Sequence, residues 1–310
     1  MQQLLSSTAN NVTHRKFSII ANRRPYAKAN NGNKIMKKLI LLTLATVMSF
    51  TVYSNGPEYA SETTKEIIGK MIEAHGGYEK WSNMKTLSFS TAMHSESLGF
   101  LRFWINDQTV DMKSRRTYQD WPLFGSKLAF DGERVWSIDW RVGNPPSHQQ
   151  SVFFYYLNLP WLTQDDHVML GEAELIKHKA FDNEVYKVLM SYKEVPTVGK
   201  SEKDIYTLFI DAKTFLLVGY EYVMAYGPIL DVIGLPKDQG FFGPMLRKNN
   251  YFGDVNGLKF PMLFTTHSAD YTEQYGDHAI YNIQINGEFD ESRMQPPANA
   301  VFDPSKDIRK

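Results

Sequence analysis

Three stretches of this chain alternate apolar and polar residues with a period of two, and that alternation restricts the fold more than any other feature. Leu87, Phe89, Thr91 and Met93 alternate with Ser88, Ser90 and Ala92. Tyr186, Val188, Met190 and Tyr192 alternate with Lys187, Ser191 and Lys193, and Ala279, Tyr281, Ile283 and Ile285 with Asn282, Gln284 and Asn286. Successive side chains of a strand point to opposite faces, so each stretch has one dry side and one wet side. Antiparallel sheet accommodates such strands because one of its faces can meet water. Asp211-Ala212-Lys213-Thr214 joins Tyr206–Ile210 to Leu216–Tyr222 as a hairpin, and Asn256-Gly257 marks a turn between Tyr251–Val255 and Leu258–Phe264. Roughly nine to eleven strands are expected, in one domain because no linker or repeat interrupts them.

A helix opens this β-rich region. Ser61 to His75 places Ile67, Ile68, Met71 and Ile72 on one stripe, with Glu66, Lys70 and Glu73 off it. Thr63 with Glu66 three residues later reads as a capping box, and Gly76-Gly77 as the stop. A short turn or helix follows over Tyr78 to Asn83, and a second helix is expected near Gln149–Leu157.

Two segments break the alternation. Leu98 to Ile105 is apolar on both faces, with Phe100, Arg102 and Trp104 on one and Leu101, Phe103 and Ile105 on the other. Arg102 has two readings: it reaches an edge carboxylate from a doubly buried strand, or it sets a charge inside a ligand cavity. Ala225 to Leu246 is long, punctuated by Gly and Pro, and apolar. Irregular loops of that length are uncommon unless functional or disordered, and this one is too hydrophobic for disorder. It reads equally as a lid over the open end of a sheet or as a plug in the core.

Residues Met36 to Ser54 have the form of a secretory signal peptide. Lys37 and Lys38 form the charged region, Leu39 to Val52 the apolar run, and Val52 and Ser54 the small residues before a cleavage point. The apolar run is short for a membrane-spanning helix. Met36 is therefore read as the initiator, with residues 1–35 an upstream extension and 55–310 the mature domain. An organellar transit peptide and a twin-arginine leader at Arg23-Arg24 are the competing readings, and neither explains a charged region that restarts at Met36. The first 54 residues hold eight of the 34 Lys/Arg and none of the 34 Asp/Glu, which leaves 26 basic against 34 acidic residues, a net charge of −8. An acidic surface disfavours nucleic acid and anionic headgroups. The expected address is the periplasm or the exterior.

Most catalytic signatures are missing. The chain has no cysteine, which excludes disulfides, thiolate catalysis and zinc–thiolate or iron–sulfur sites. Gly199-Lys200-Ser201 resembles the end of a phosphate-binding loop, but Glu194 stands where the leading glycine belongs. Neither a Gly-x-Ser-x-Gly elbow nor a His-Glu-x-x-His helix occurs. Asp165-Asp166-His167 is the densest polar cluster and reads as a solvated turn.

Three stretches together carry a family likeness: Ala74-His75-Gly76-Gly77-Tyr78-Glu79-Lys80-Trp81 running into Leu87-Ser88-Phe89; Leu128 to Asp139 around Asp131-Gly132; and Tyr206 to Val218. Their order resembles the periplasmic lipoprotein-carrier (LolA/LolB-like) superfamily, specifically an uncharacterised secreted bacterial branch of it. The resemblance implies a mostly β fold with a few helices: a single half-open antiparallel β-barrel with N-terminal and lid helices over its concave face. Carriers of that family have a Lys-Arg-Pro-like hairpin after the strand matching Leu98–Ile105. Here the hairpin is read as Asn106-Asp107-Gln108-Thr109, which lacks that arginine.

The leading expectation is an exported, non-catalytic monomer that holds a hydrophobic or acylated ligand on the concave face, with no cofactor, metal or nucleic acid. The expected lining is Phe89, Met93, Phe100, Arg102, Trp104, Trp136, Tyr220 and Tyr222, with Phe241 and Phe242 as lid. One alternative is an envelope-assembly protein that uses the sheet edge or Ala225–Leu246 to meet a protein partner. The other is a hydrolase, which requires that His94, His148, His167 or His267 meet a carboxylate inside the cavity.

Overall fold

A computed structural model describes residues 56–95 and 103–304. The leader assigned to Met36–Ser54, the extension before it, and Phe100 and Arg102 lie outside the described residues.

The alternating stretches do form antiparallel strands. The long strands are β2 (Thr86–Ser95), β3 (Phe103–Asp111), β4 (Thr117–Trp121), β5 (Ser126–Phe130), β6 (Val135–Ile138), β9 (Val185–Tyr192), β10 (Ile205–Asp211), β11 (Leu217–Met224), β12 (Phe242–Asn250), β13 (Leu263–Ser268) and β14 (Gln274–Ile285). Four pieces of two or three residues complete the described sheet: β1 (Glu58–Tyr59), β7 (Val168–Leu170), β8 (Glu174–Ile176) and β15 (Val301–Phe302). These short pieces, too brief to show a period, account for the excess over the expected strand count. The strand path runs β1-β7-β9-β10-β11-β12-β13-β14-β2-β3-β4-β5-β6-β15, with β8 beside β9. Its centre joins distant parts of the chain, because β14 pairs with β2.

Helix α1 (Glu62–Ala74) buries the expected Ile67, Ile68, Met71 and Ile72. Its cap is Ser61 rather than Thr63: the Ser61 hydroxyl accepts from the Thr64 backbone N–H at 3.3 Å, satisfying an otherwise orphaned donor. Gly76 follows at φ 104°, where a β-carbon would collide with the Gly257 carbonyl. Helix α2 (Tyr78–Ser82) then presents Trp81, whose indole stacks on Trp161 at 5.9 Å.

Helix α3 (Pro146–Leu162) is longer than the expected Gln149–Leu157, and every residue from Ser147 to Leu162 is buried. A helix apolar all round has to sit inside a core rather than on it. Several of the polar residues it carries bond inward. Asn158 accepts from the Trp81 indole N–H at 2.7 Å, and Gln150 donates to the Val198 carbonyl at 2.8 Å.

Three local expectations are corrected. Asn106–Thr109 is no hairpin; it lies mid-strand in β3, where Asn106 and Gln108 are buried like core residues. The turn falls later, at Met112–Arg116, held by Asp111 accepting from the Lys113 and Ser114 N–H groups at 3.0 Å each. That turn does carry an inward arginine. Arg115 lies over the Trp81 and Phe154 rings at 5.1 and 4.7 Å and pairs with Asp165 at 3.3 Å, so Asp165 is not simply solvated. Ala225–Leu246 is not an irregular loop: it contains helix α4 (Gly227–Val232) and the start of β12. Finally, Asn256-Gly257 does turn the chain, but its flanks shrink to one bridge between Val255 and Leu258. Among the described residues no helix is long and apolar enough to cross a membrane.

Candidate functional site

The cross-strand register places one set of side chains on a common face of the sheet. Tyr222 pairs with Met245 across β11 and β12. Arg247 opposes Thr266, and Thr266 opposes Gly276, which opposes Ser95. Two residues along, Phe264 opposes His278, His278 opposes Met93, and Met93 opposes Trp104. Opposed residues project to the same side. At Gly276 a β-carbon would collide with the His94 carbonyl, so the two strands approach closely there.

Helix α3 faces this row of residues with His148, Gln149, Val152, Phe153 and Tyr156, and helix α4 adds Ile229. Between them lies a cavity of about 360 Å³, walled mainly by apolar side chains including Met93, Trp104, Val152, Met224, Phe242 and Met245. This volume lies within the roughly 300–1,000 Å³ of small-molecule sites. At its rim the chain exposes apolar side chains: Ile233, which lines the cavity, and its neighbour Val232 are 41% and 51% exposed.

Of the expected lining, Met93, Trp104, Tyr222 and Phe242 come together at this cavity. Phe89 and Tyr220 are buried in the main core without lining it. Trp136 belongs to a separate cluster with Ala129 and Met294. Phe241 is half exposed beside Phe242.

Most polar groups of the cavity lie outside the expected lining, of whose described residues only Trp104 and Tyr222 carry polar atoms to it. Arg247, only 5% exposed, donates through one Nη to Thr266 Oγ1 at 2.9 Å and through the other to Tyr156 Oη at 2.5 Å, and its guanidinium lies 3.9 Å from the Tyr156 ring centre. No carboxylate pairs with it among the described residues. His278 is buried, and desolvation followed by the charge of Arg247 pushes its imidazole well below the usual range, so the ring is neutral at pH 7. His148 is neutral for the same kind of reason: burial first, then the Lys200 charge, lower it to about 3. Its Nδ1 lies 3.2 Å from the Gly199 carbonyl.

Behind Tyr222 a second buried cation is fully served by the protein. Lys200 donates to Tyr206 Oη at 2.6 Å and to Tyr222 Oη at 3.3 Å, and it lies 3.8 Å from Asp204. Asp204 in turn accepts from Tyr222 Oη at 2.9 Å and from the Ala225 N–H at 2.8 Å. Burial lowers Lys200 to about 8 and raises Asp204, so desolvation outweighs the attraction in both partners. The loop carrying Lys200 is pinned by Gly199 at φ 84°, where a β-carbon would strike the Ser147 carbonyl of helix α3.

The histidines do not assemble a hydrolytic pair. His148 is the one of the four that lines the cavity, and its ring bonds a carbonyl, not a carboxylate. His267 bonds Thr265 Oγ1 at 2.7 Å, and His167 lies 3.8 Å from Glu194 at the surface. His94 sits on β2 between Met93 and Ser95 and therefore projects to the other face. No group of three or more metal-ligating side chains occurs among the described residues.

No family model matches this chain, and no curated protein matches it. Solved structures do. A LolA superfamily protein from Nitrosomonas europaea matches at 9% identity and a TM-score of 0.46, covering 75% of this chain and 97% of that one. A DUF1329 family protein from Desulfovibrio piger matches at 9% identity and a TM-score of 0.45, with the same coverage. A putative outer membrane lipoprotein-sorting protein domain from Vibrio parahaemolyticus matches at 8% identity and a TM-score of 0.38, covering 75% of this chain and 96% of that one.

Proposed function

We propose that this chain is an exported binding protein that holds a hydrophobic, lipid-like ligand between helix α3 and the sheet, without catalysing a reaction. The carrying observation is the 360 Å³ cavity with its mainly apolar wall. Sheet curvature around α3, as in a half-open barrel, supplies the concave side. Apolar ligands favour such concave sites, and each buried methylene contributes about 0.8 kcal/mol. A ten-carbon contact thus gains on the order of 8 kcal/mol before the cost of association is subtracted. The partly exposed Val232 and Ile233 leave an apolar rim at which a chain can enter. Export rests on the leader at Met36–Ser54, which makes 55–310 the working domain.

Production with the leader, followed by native mass spectrometry of the exported protein, tests this directly. A bound amphiphile, or one-to-one uptake of a fluorescent fatty-chain probe, is the expected result. Met245→Trp should lower that uptake by filling the cavity while leaving the thermal midpoint nearly unchanged. Recovery of empty protein that takes up no probe would overturn the reading.

A further inference from the structure

The nitrogen atoms of the cavity wall point to the chemistry of the ligand's polar end. Among the lining residues, four buried side-chain atoms have no hydrogen-bond partner in the protein: Trp104 Nε1, Gln149 Nε2, Arg247 Nε and His278 Nδ1. Three of these are donors in every protonation state, and the neutral His278 ring can donate from Nδ1 as well. The acceptors of the wall, by contrast, are engaged. The Gln149 carbonyl oxygen accepts from Asn144 at 3.0 Å, and Thr266 Oγ1 and Tyr156 Oη accept from Arg247. The wall is therefore short of acceptors, not of donors.

It is also short of negative charge. Arg247 is buried and permanently cationic, and its two recorded acceptors are neutral hydroxyls. The buried carboxylate nearby in the network, Asp204, is already committed to Lys200, Tyr222 and Ala225. A buried charge without a counter-charge is costly, and buried donors without acceptors add to the cost. Both costs fall when an oxyanion occupies the Arg247 end of an otherwise apolar cavity.

We propose that the ligand is an anionic amphiphile: one alkyl chain packed among Met93, Trp104, Val152 and Met245, ending in a carboxylate or phosphate that Arg247 binds. This rests on the binding reading above and narrows it to a chemical class. Arginine suits the task because its planar fork matches carboxylate and phosphate oxygens.

Calorimetric titration of the delipidated protein with dodecanoate, dodecyl phosphate, dodecan-1-ol and dodecyltrimethylammonium separates the possibilities. The two anions should bind at least about tenfold tighter than the alcohol, about 1.4 kcal/mol, and the cation more weakly still. A preference between the anions then tells a fatty acid from a phosphate monoester, and either one supports the proposal. In Arg247→Gln the anion-to-alcohol ratio should collapse towards one with alcohol binding retained. Arg247→Lys, if the Gln variant does not fold, should keep a reduced ratio. Equal binding of alcohol and anions by the native protein overturns the headgroup assignment and leaves the hydrophobic reading standing. Failure of all four chains overturns the hydrophobic reading itself.

Discussion

Two buried cations, Lys200 on the loop before β10 and Arg247 on β12, are treated in opposite ways. Lys200 meets a carboxylate and two phenols, and its carboxylate is bonded again by Tyr222 and by a backbone N–H. Arg247, one strand beyond Tyr222, meets two neutral hydroxyls and an aromatic face. The first arrangement is closed: every strong interaction it needs is inside the protein. It fastens the Pro196–Asp204 loop and β11 behind helix α3, so it belongs to the scaffold. The second is open towards the cavity, and so it belongs to the site. Burial alone does not distinguish the two; the inventory of partners does.

The largest expected effect is at the closed end. Asp204→Ala leaves Lys200 without a counter-charge and removes the acceptor used by Tyr222 and Ala225. Breaking a buried pair from one side costs about 3–5 kcal/mol, and urea unfolding at pH 7 should show a loss of that size. Lys200→Met should cost a comparable amount. The double variant should cost less than the two singles together, by about 1–3 kcal/mol, because the second substitution removes a charge already stranded by the first. Strict additivity would mean that the pair is not coupled and would dissolve the contrast.

Arg247→Met should cost less, about 1–2 kcal/mol in ligand-free protein. Two hydrogen bonds to neutral partners are lost, but so is the cost of holding an unpaired charge in the core. A loss as large as that of Asp204→Ala would make Arg247 a structural residue and end its role as a ligand group. Comparing the two variants by denaturation therefore sharpens the distinction without any ligand being known.

How much of this was visible in the sequence depends on the kind of signal. Met93 sits in a stretch whose alternation largely survives in β2, whereas Trp104, opposite it on β3, comes from a segment apolar on both faces and is legible only as a bulky aromatic there. Trp136, expected in the same lining, lies in another cluster, because the sequence does not say which face of the sheet helix α3 covers. Helix α3 is only partly legible: buried on all sides, it has no polar stripe to mark its period, and His148 and Gln149 look like loop polarity until the helix packs against the sheet. Lys200 looked like a broken phosphate loop, since Tyr206, Tyr222 and Asp204 gather around it only after β10 and β11 pair. Arg247 stands just beyond the apolar segment Ala225–Leu246, which has the sequence of a loop; only β12 continuing through it turns Met245 and Arg247 to one face.

The smallest effect in the series is in pH dependence, and it bears chiefly on the closed end. Burial holds Lys200 at about 8 in the folded protein, below the 10.5 of an ordinary lysine. Between those values the unfolded chain binds more protons than the native one, so stability from this group rises with pH and is lost as pH falls through about 8. From pH 8 to 9 the native protein should gain up to about 1 kcal/mol relative to Lys200→Met. Arg247→Met should show a somewhat smaller gain than the native protein, because the Arg247 charge helps burial to hold Lys200 down. Tyr206 and Tyr222, both raised well above 10 by burial, act with the opposite sign at higher pH, so the comparison stops at 9. A slope indistinguishable from that of Lys200→Met would mean that Lys200 keeps an ordinary affinity for its proton. The closed site would then be wetter than its partners imply, and the two cations would differ less than their neighbours suggest.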